Sequence, residues 1–373
     1  MMPAAEPAAV AFHDCRPAGA PQGHDALTRR ELARLLAEVL QVEYLDEVPP
    51  ETRAARRALV VPSDTLPTLA AARRLGIHAA ARVFGGVVPQ PFVATKVIGH
   101  ALASARAVAP TGWSRRFAAA VSEVVLPGCS TFDAHDAIAA GERLLRDGPV
   151  RLKEAAGIGG AGQHVVEDTA QLRDVVAALE RDGLFPAGIV IERNLRDVTT
   201  FSVGQVRVAA LTAGYVGTQR LVTNPRGHAT YGGSDLTLVR GDMASLLDRD
   251  LSAVQRGAVE RALAYHRAAL ECFPGLIATR ANYDVAYGRD AQGRALCGVL
   301  EQSWRIGGAS GAEIAALHAF RADPTLRVVH ASTREVYGEG RTIPSDAWVH
   351  YDGVDGHGQR LVKYVEVRCH GYV

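Results

Sequence analysis

The segment from Val150 to Val166 constrains this chain more than any other. Val150-Arg151-Leu152-Lys153-Glu154-Ala155-Ala156 reads as a strand, and Gly157-Ile158-Gly159-Gly160-Ala161-Gly162 is a glycine run. His164-Val165-Val166 is β-like again. The run fits G-x-G-x-x-G literally, but that dinucleotide fingerprint needs a helix opening at the glycines, its N-terminus toward the pyrophosphate. Here the first helix cap is Asp168, with Gln171 three residues later. Lys153 and Glu154 also suit poorly a strand buried on both faces. The acid expected about 20 residues on falls near Asp182, at a helix end. No Gly-Lys-Ser/Thr follows, which excludes a Walker-type loop. What fits is a strand–glycine loop–strand hairpin that folds over phosphates through its backbone N–H groups, with Lys153 on the first strand. A flexible hairpin with no ligand is the plain alternative.

Lysine occurs only three times in 373 residues, as Lys96, Lys153 and Lys363, and arginine supplies nearly all the other positive charge. A lysine delivers a compact charge on a flexible stem where arginine presents a planar fork. Its retention beside the glycine run suggests a phosphate contact in a confined site. The length admits two or three domains. A net charge of +1 gives no global field toward nucleic acid or an acidic membrane. No apolar run approaches the roughly 18 to 20 residues of a membrane span, and the N-terminus lacks the pattern of a secretory signal. Cys15, Cys129, Cys272, Cys297 and Cys369 are scattered without a Cys-x-x-Cys pair, which points to free thiols in a reducing cytoplasm.

Along the chain, residues 1 to about 25 are rich in Ala, Pro and Gly and read as mobile. Leu27–Leu40 has helical spacing. Ala58–Pro62 reads as a buried strand, with Ser63 and Asp64 capping a helix over Leu66–Leu75. Ala94–Ala107 and Phe132–Arg146 read as helices. After the glycine hairpin comes a helix with the stripe Leu172, Val175, Val176 and Leu179, ended by Gly183. Gly188–Ile191 is an apolar strand leading into Glu192-Arg193-Asn194-Leu195. Thr199–Leu211 alternates as one or two strands, and Ala253–Leu270 is helical.

A hairpin follows, with arms Ala281–Tyr287 and Ala295–Ile306 around Gly288–Gly293. Side chains two apart share a strand face, so Arg280, Asn282 and Asp284 align on one arm, and Glu301, Ser303 and Arg305 on the other. Facing carboxylates repel unless a cation joins them, and an all-oxygen set suits magnesium.

With lysine strand, glycine loop, hinge-like strand end and paired acids in this order, residues 60 to 320 resemble the ATP-grasp superfamily of carboxylate–amine ligases. The resemblance implies an α/β N-terminal domain followed by a two-lobed α+β fold whose antiparallel sheets clasp ATP. Its divisions would be an N-terminal extension with one helix (1–55), a preceding α/β domain (56–130), a first lobe (131–196), a second lobe (197–340) and a C-terminal β-hairpin (341–373). Lys96 matches the family's upstream phosphate lysine, and Lys153 the lysine before the loop. Gly157, Gly159, Gly160 and Gly162 would cover the phosphates, and Glu192, Asn194 and Leu195 would form the adenine hinge. Asp284 and Glu301 match the magnesium acids, and Arg305, with Arg280, the charge-stabilising arginines. The implied activity is ATP-dependent phosphorylation of a small carboxylate and attack by an amine, with no nucleic-acid or membrane partner. A kinase acting on a hydroxyl, or a nucleotide-binding protein without turnover, remain alternatives.

Two positions depart from the family. Ser303 replaces a metal-binding asparagine and would reach a second magnesium only through water. The acids are also far apart in sequence, 301 − 284 = 17, and an even number of extra residues shared by the arms would keep them on one face. Elsewhere, His266 reads as a satisfied core histidine, Asp352–Gly358 as a hairpin turn, and Cys129 as a plain thiol. Lys363 reads as a solvated strand residue. Arg220, Arg226 and Arg240 are each either anion ligands or solvated.

Overall fold

The computed structural model describes residues 6–17, 19–48, 57–157, 162–223, 227, 229–338 and 342–371. The chain opens with β1 (Ala9–His13), α1 (His24–Leu40), β2 (Glu43–Leu45) and β3 (Ala58–Pro62). β1 is the middle strand of a parallel sheet ordered β2-β1-β3. The N-terminal stretch read as mobile therefore holds a core strand, because Ala9, Val10, Ala11 and Phe12 form an apolar run that is fully buried. Next come α2 (Leu69–Arg74) and β4 (Gly86–Val87). α2 starts later than expected and is capped by Thr68, not by Ser63 or Asp64: the Thr68 hydroxyl accepts from the Ala71 amide at 3.0 Å. Pro67 disfavours helical backbone in the residue before it, and the Leu66 amide donates to the Gly86 carbonyl instead.

The helix expected over Ala94–Ala107 is absent. Two 3₁₀ turns, Pro91–Ala94 and Lys96–Gly99, stand in its place. Gln302 Nε2 donates to the Val93 and Thr95 carbonyls at 3.1 and 2.7 Å, acceptors an α-helix would have used for its own ladder. Val97 and Ile98 are β-branched and Gly99 follows, all weak helix formers.

Next come α3 (Arg115–Ala120), whose Phe117 packs on Tyr265 and Phe273, and a first lobe of β5 (Gly128–Thr131), α4 (Ala134–Leu145), β6 (Val150–Glu154), β7 (Gln163–Val166), α5 (Thr169–Arg181) and β8 (Ile189–Arg193). Its sheet is ordered β5-β8-β6-β7, every pair antiparallel. β6 and β7 pair directly, with Lys153 opposite Gln163, and among the described residues no helix begins until Thr169. That excludes the dinucleotide-fold alternative. Gly159 and Gly160 lie outside the described residues. Gly162 takes φ +66°, the left-handed backbone that glycine tolerates best. α4 and α5 pack so closely that a Cβ on Gly141 would lie 2.5 Å from Leu172.

The second lobe runs through β9 (Arg196–Val208), β10 (Leu211–Thr223), β11 (Ala229–Arg240), α6 (Ala253–Cys272), β12 (Ile277–Ala278), β13 (Arg280–Arg289), β14 (Ala295–Ser303), α7 (Ser310–Ala322), β15 (Val328–Tyr337), β16 (Trp348–Val354) and β17 (Arg360–Gly371). Eight of these strands form one antiparallel sheet, ordered β14-β13-β9-β10-β11-β15-β17-β16, so the final hairpin extends the sheet. Leu32, Leu36 and Leu40 of α1 share a core with Ala312, Ala316 and Leu317 of α7, which fixes the N-terminal helix to this lobe. Among the described residues no helix is long and apolar enough to cross a membrane.

Candidate nucleotide and metal site

A cavity of about 1030 Å³ is lined from both the four-stranded and the eight-stranded sheet. At its centre are β13 and β14. Asp284 pairs with Glu301 and Asn282 with Ser303 across the ladder, and all four side chains line the cavity. The parity comes out differently from the expected even insertion. Val285 pairs with Val299, so one extra residue, Leu300, is absorbed as a β-bulge beside the two acids. The Asp284 carboxylate accepts from Asn282 Nδ2 and Gln219 Nε2, each at 2.8 Å. Its pKa is nonetheless raised to about 6, first by burial and next by Glu301, against the pull of those amides and of Arg280. Two facing carboxylates with this strain are a fitting oxygen pair for magnesium. Ser303 supplies a hydroxyl beside them, 3.4 Å from an Arg280 guanidinium nitrogen.

Lys96 reaches the same point from its 3₁₀ turn. Its Nζ lies 2.7 Å from Glu301 and donates to the Gly157 carbonyl at 2.6 Å, tying the metal hairpin to the start of the glycine loop. Lys153, on β6, points into the cavity and pairs at 2.5 Å with Glu192 on β8. His100 lies 3.3 Å from the other Glu192 oxygen. Burial opposes ionisation of Glu192, yet Lys153 and then His100 outweigh it and hold the carboxyl at about 2. All three lysines are thus buried against carboxylates, because Lys363, read as solvated, is only 2% exposed. It sits between Asp25 at 2.8 Å and Glu335 at 3.1 Å. Its partners come from α1 and β15, and no local pattern around Lys363 announces them.

At the hinge, the Arg193 and Asn194 amides already donate to the Pro127 and Pro149 carbonyls. The Asn194 side chain accepts from Arg151 at 2.9 Å, and Leu195 is buried on the cavity wall. Arg280 is bound to Glu313 at 2.8 Å and donates to the Ser303 and Arg305 carbonyls, so its fork is committed to the protein. Arg305 is less engaged, with Asp64 at 3.6 Å, and burial lowers its pKa, with Arg29 adding to the effect. Reasoning from sequence missed His100 and Gln219, which carry no motif. His266 is a satisfied core residue, 2.7 Å from the Tyr283 hydroxyl. Asp355–Gly358 closes the β16–β17 hairpin. Burial raises the pKa of the Cys129 thiol, which accepts from Arg143. Arg240 donates to the Phe320, Asp323 and Leu326 carbonyls, Arg220 is exposed, and Arg226 lies outside the described residues.

The two-lobed architecture around this cavity is the ATP-grasp fold. Biotin carboxylase from Campylobacter jejuni, solved as a β,γ-ATP complex, superposes with a TM-score of 0.51 at 10% identity, over 97% of this chain and 88% of that one. N5-carboxyaminoimidazole synthase from Aspergillus clavatus, solved with ADP and 5-aminoimidazole ribonucleotide, gives 0.53 at 12% identity, over 97% and 94%. At such identities the likeness is one of fold. Within that fold the chain belongs to the family described as "Protein of unknown function (DUF3182)", whose model matches residues 13–365. Comparison with curated proteins finds no match.

Proposed function

We propose that this protein is an ATP-dependent ligase that activates a carboxylate as an acyl phosphate for attack by an amine or similar nucleophile. The observation that carries the reading is the register of Asp284 against Glu301 in a cavity that Lys153 also lines, with Lys96 bound to Glu301. Lys153 would contact phosphate oxygens from the β6 side, and Lys96 from its turn beside Glu301. The glycine loop would cover the phosphates with backbone N–H groups. Magnesium, held by Asp284 and Glu301 with Ser303 acting through water, would neutralise phosphate charge. Arg305 would stabilise charge on the transferred phosphoryl group and the acyl oxygen. Arg280, clamped by Glu313, would hold Ser303 and Arg305 in place. In the first step a carboxylate oxygen attacks the γ-phosphorus and ADP leaves. In the second the amine attacks the acyl carbon, sheds a proton, and phosphate leaves.

The test is product analysis with Mg-ATP across a panel of acids and amines. The ligase reading expects amide, ADP and phosphate in equal amounts. A phosphorylated hydroxyl compound with no free phosphate would make the protein a kinase instead. Ser303 favours one further reading, a nucleotide-binding protein without turnover. Tight Mg-ATP binding with no ADP formed from any pair, even after Ser303→Asn, would support it.

A further inference from the structure

The cavity does not end at the metal hairpin. Four strand steps separate β13 from β15 in the sheet order, about 19 Å along the sheet at roughly 4.8 Å per step. At that far end the wall carries Asp25, Thr28, Glu335, His350 and Lys363. α1 contributes a stripe at Asp25, Thr28, Arg29 and Leu32, spaced so that one helix face meets the cavity. Arg29 turns toward the reacting end: it donates to the Ser63 carbonyl at 3.0 Å and acts electrostatically on Arg305. Asp25 turns the other way, to Lys363.

At the far end the Lys363 ammonium sits between Asp25, which is largely exposed and also meets His24 at 3.1 Å, and the mostly buried Glu335. Arg334, the nearest other cation on the strand, is taken by Asp235 at 2.6 Å. Burial raises the Glu335 carboxyl above its ordinary value, with Lys363 pulling the other way. His350 is 8% exposed, and its pKa is lowered to about 4, first by burial and then by Lys363, with the Trp348 backbone opposing, so it is neutral near pH 7. Its Nδ1 and the Thr28 hydroxyl are buried and have no hydrogen-bond partner. Buried polar atoms normally find partners, and both of these residues line the cavity. A carboxylate oxygen, a hydroxyl and a neutral imidazole nitrogen can all accept, and an ammonium group has three donors and no acceptor.

We propose that Glu335, Thr28 and His350 form a recognition subsite for an ammonium group on a small substrate, at the end remote from its reacting atom, with Lys363 and Asp25 fixing the Glu335 carboxylate. An anion is disfavoured, since Lys363 is already flanked by two carboxylates. That the bound molecule is a substrate rests on the ligase reading; the subsite itself rests on the residues just named.

The full-length protein saturated with Mg-ADP is titrated calorimetrically with three four-carbon probes: 1,4-diaminobutane, 4-aminobutanoate and succinate. The two ammonium compounds are expected to bind and succinate to fail. Glu335→Gln should weaken amine binding about tenfold or more, the range of a charge-assisted hydrogen bond, and leave Mg-ADP affinity unchanged. Thr28→Ala, inside a helix where alanine is the strongest former, should weaken it a few-fold and serves if Glu335→Gln does not fold. Succinate binding as tightly as the amines, no amine bound by a protein that binds Mg-ADP, or amine binding indifferent to the substitutions would each overturn the proposal. Amine binding without Mg-ADP binding would keep the subsite and remove the ligase reading.

Discussion

Removing the Lys153 ammonium acts on two partners, one of them the protein itself. Lys153→Ala should weaken Mg-ATP binding roughly ten- to a hundredfold, the cost of a charge-assisted contact of about 1.5 to 3 kcal/mol. It also strands Glu192, which is 1% exposed and would keep only His100, and breaking such a pair commonly costs about 3 to 5 kcal/mol. The double variant Lys153→Ala/Glu192→Gln should recover much of the stability in a denaturant melt and none of the nucleotide affinity in calorimetry. Recovery of both would show that Lys153 serves the fold alone. Asp284 gives the opposite sign. Its folded pKa, about 6, lies above its ordinary value of 3.8, so the folded state binds the proton more tightly than the unfolded chain. Its contribution to stability therefore falls as pH rises from about 4 to about 6, and the penalty is fully present above that. Asp284→Asn should raise the stability of the ligand-free protein at pH 8 by about 1 to 2 kcal/mol and change it little at pH 3.5. Equal melting temperatures at pH 8 would contradict the buried repulsion.

At the scale of elements, the site depends on how closely the strands beneath it approach. A Cβ on Gly204 of β9 would lie 2.3 Å from both the Ala281 carbonyl and the Tyr215 hydroxyl. That hydroxyl donates to Glu313 at 2.7 Å and lies 3.1 Å from Asn282 Oδ1. Gly204→Ala should therefore destabilise the protein by about 2 kcal/mol or more and loosen the Arg280–Glu313 clamp, seen as a lower denaturation midpoint. The glycine hairpin and the acidic hairpin were legible in the sequence because period-two alternation and turn residues are local signals. The bulge at Leu300 was not, since one unpaired residue between Val299 and Glu301 leaves the pattern on each arm intact. The turns around Lys96 were misread because a distant side chain, Gln302, takes the carbonyls that helix spacing promised to a helix. Lys363 was misread for a like reason: its partner Asp25 lies 338 residues away.

For the whole molecule, the N-terminal segment is part of the site. α1 packs with α7 in one core through Leu36 and Leu40, while its N-terminal turns, from Asp25 to Leu32, line the cavity. The ATP-grasp fold alone leaves the acceptor open. In this chain α1 and the β16–β17 hairpin line the far end of that cavity. That Asp284 and Glu301 form the metal half of a nucleotide site is the proposal on which the rest depends. It is tested most directly by calorimetric titration of ATP into the full-length protein, with and without magnesium, beside Glu301→Gln. The expected result is ATP binding that magnesium strengthens at least tenfold in the native protein and barely at all in Glu301→Gln, whose melting profile should stay cooperative. ATP binding equally tight with and without magnesium, or a magnesium effect undiminished in Glu301→Gln, would contradict it.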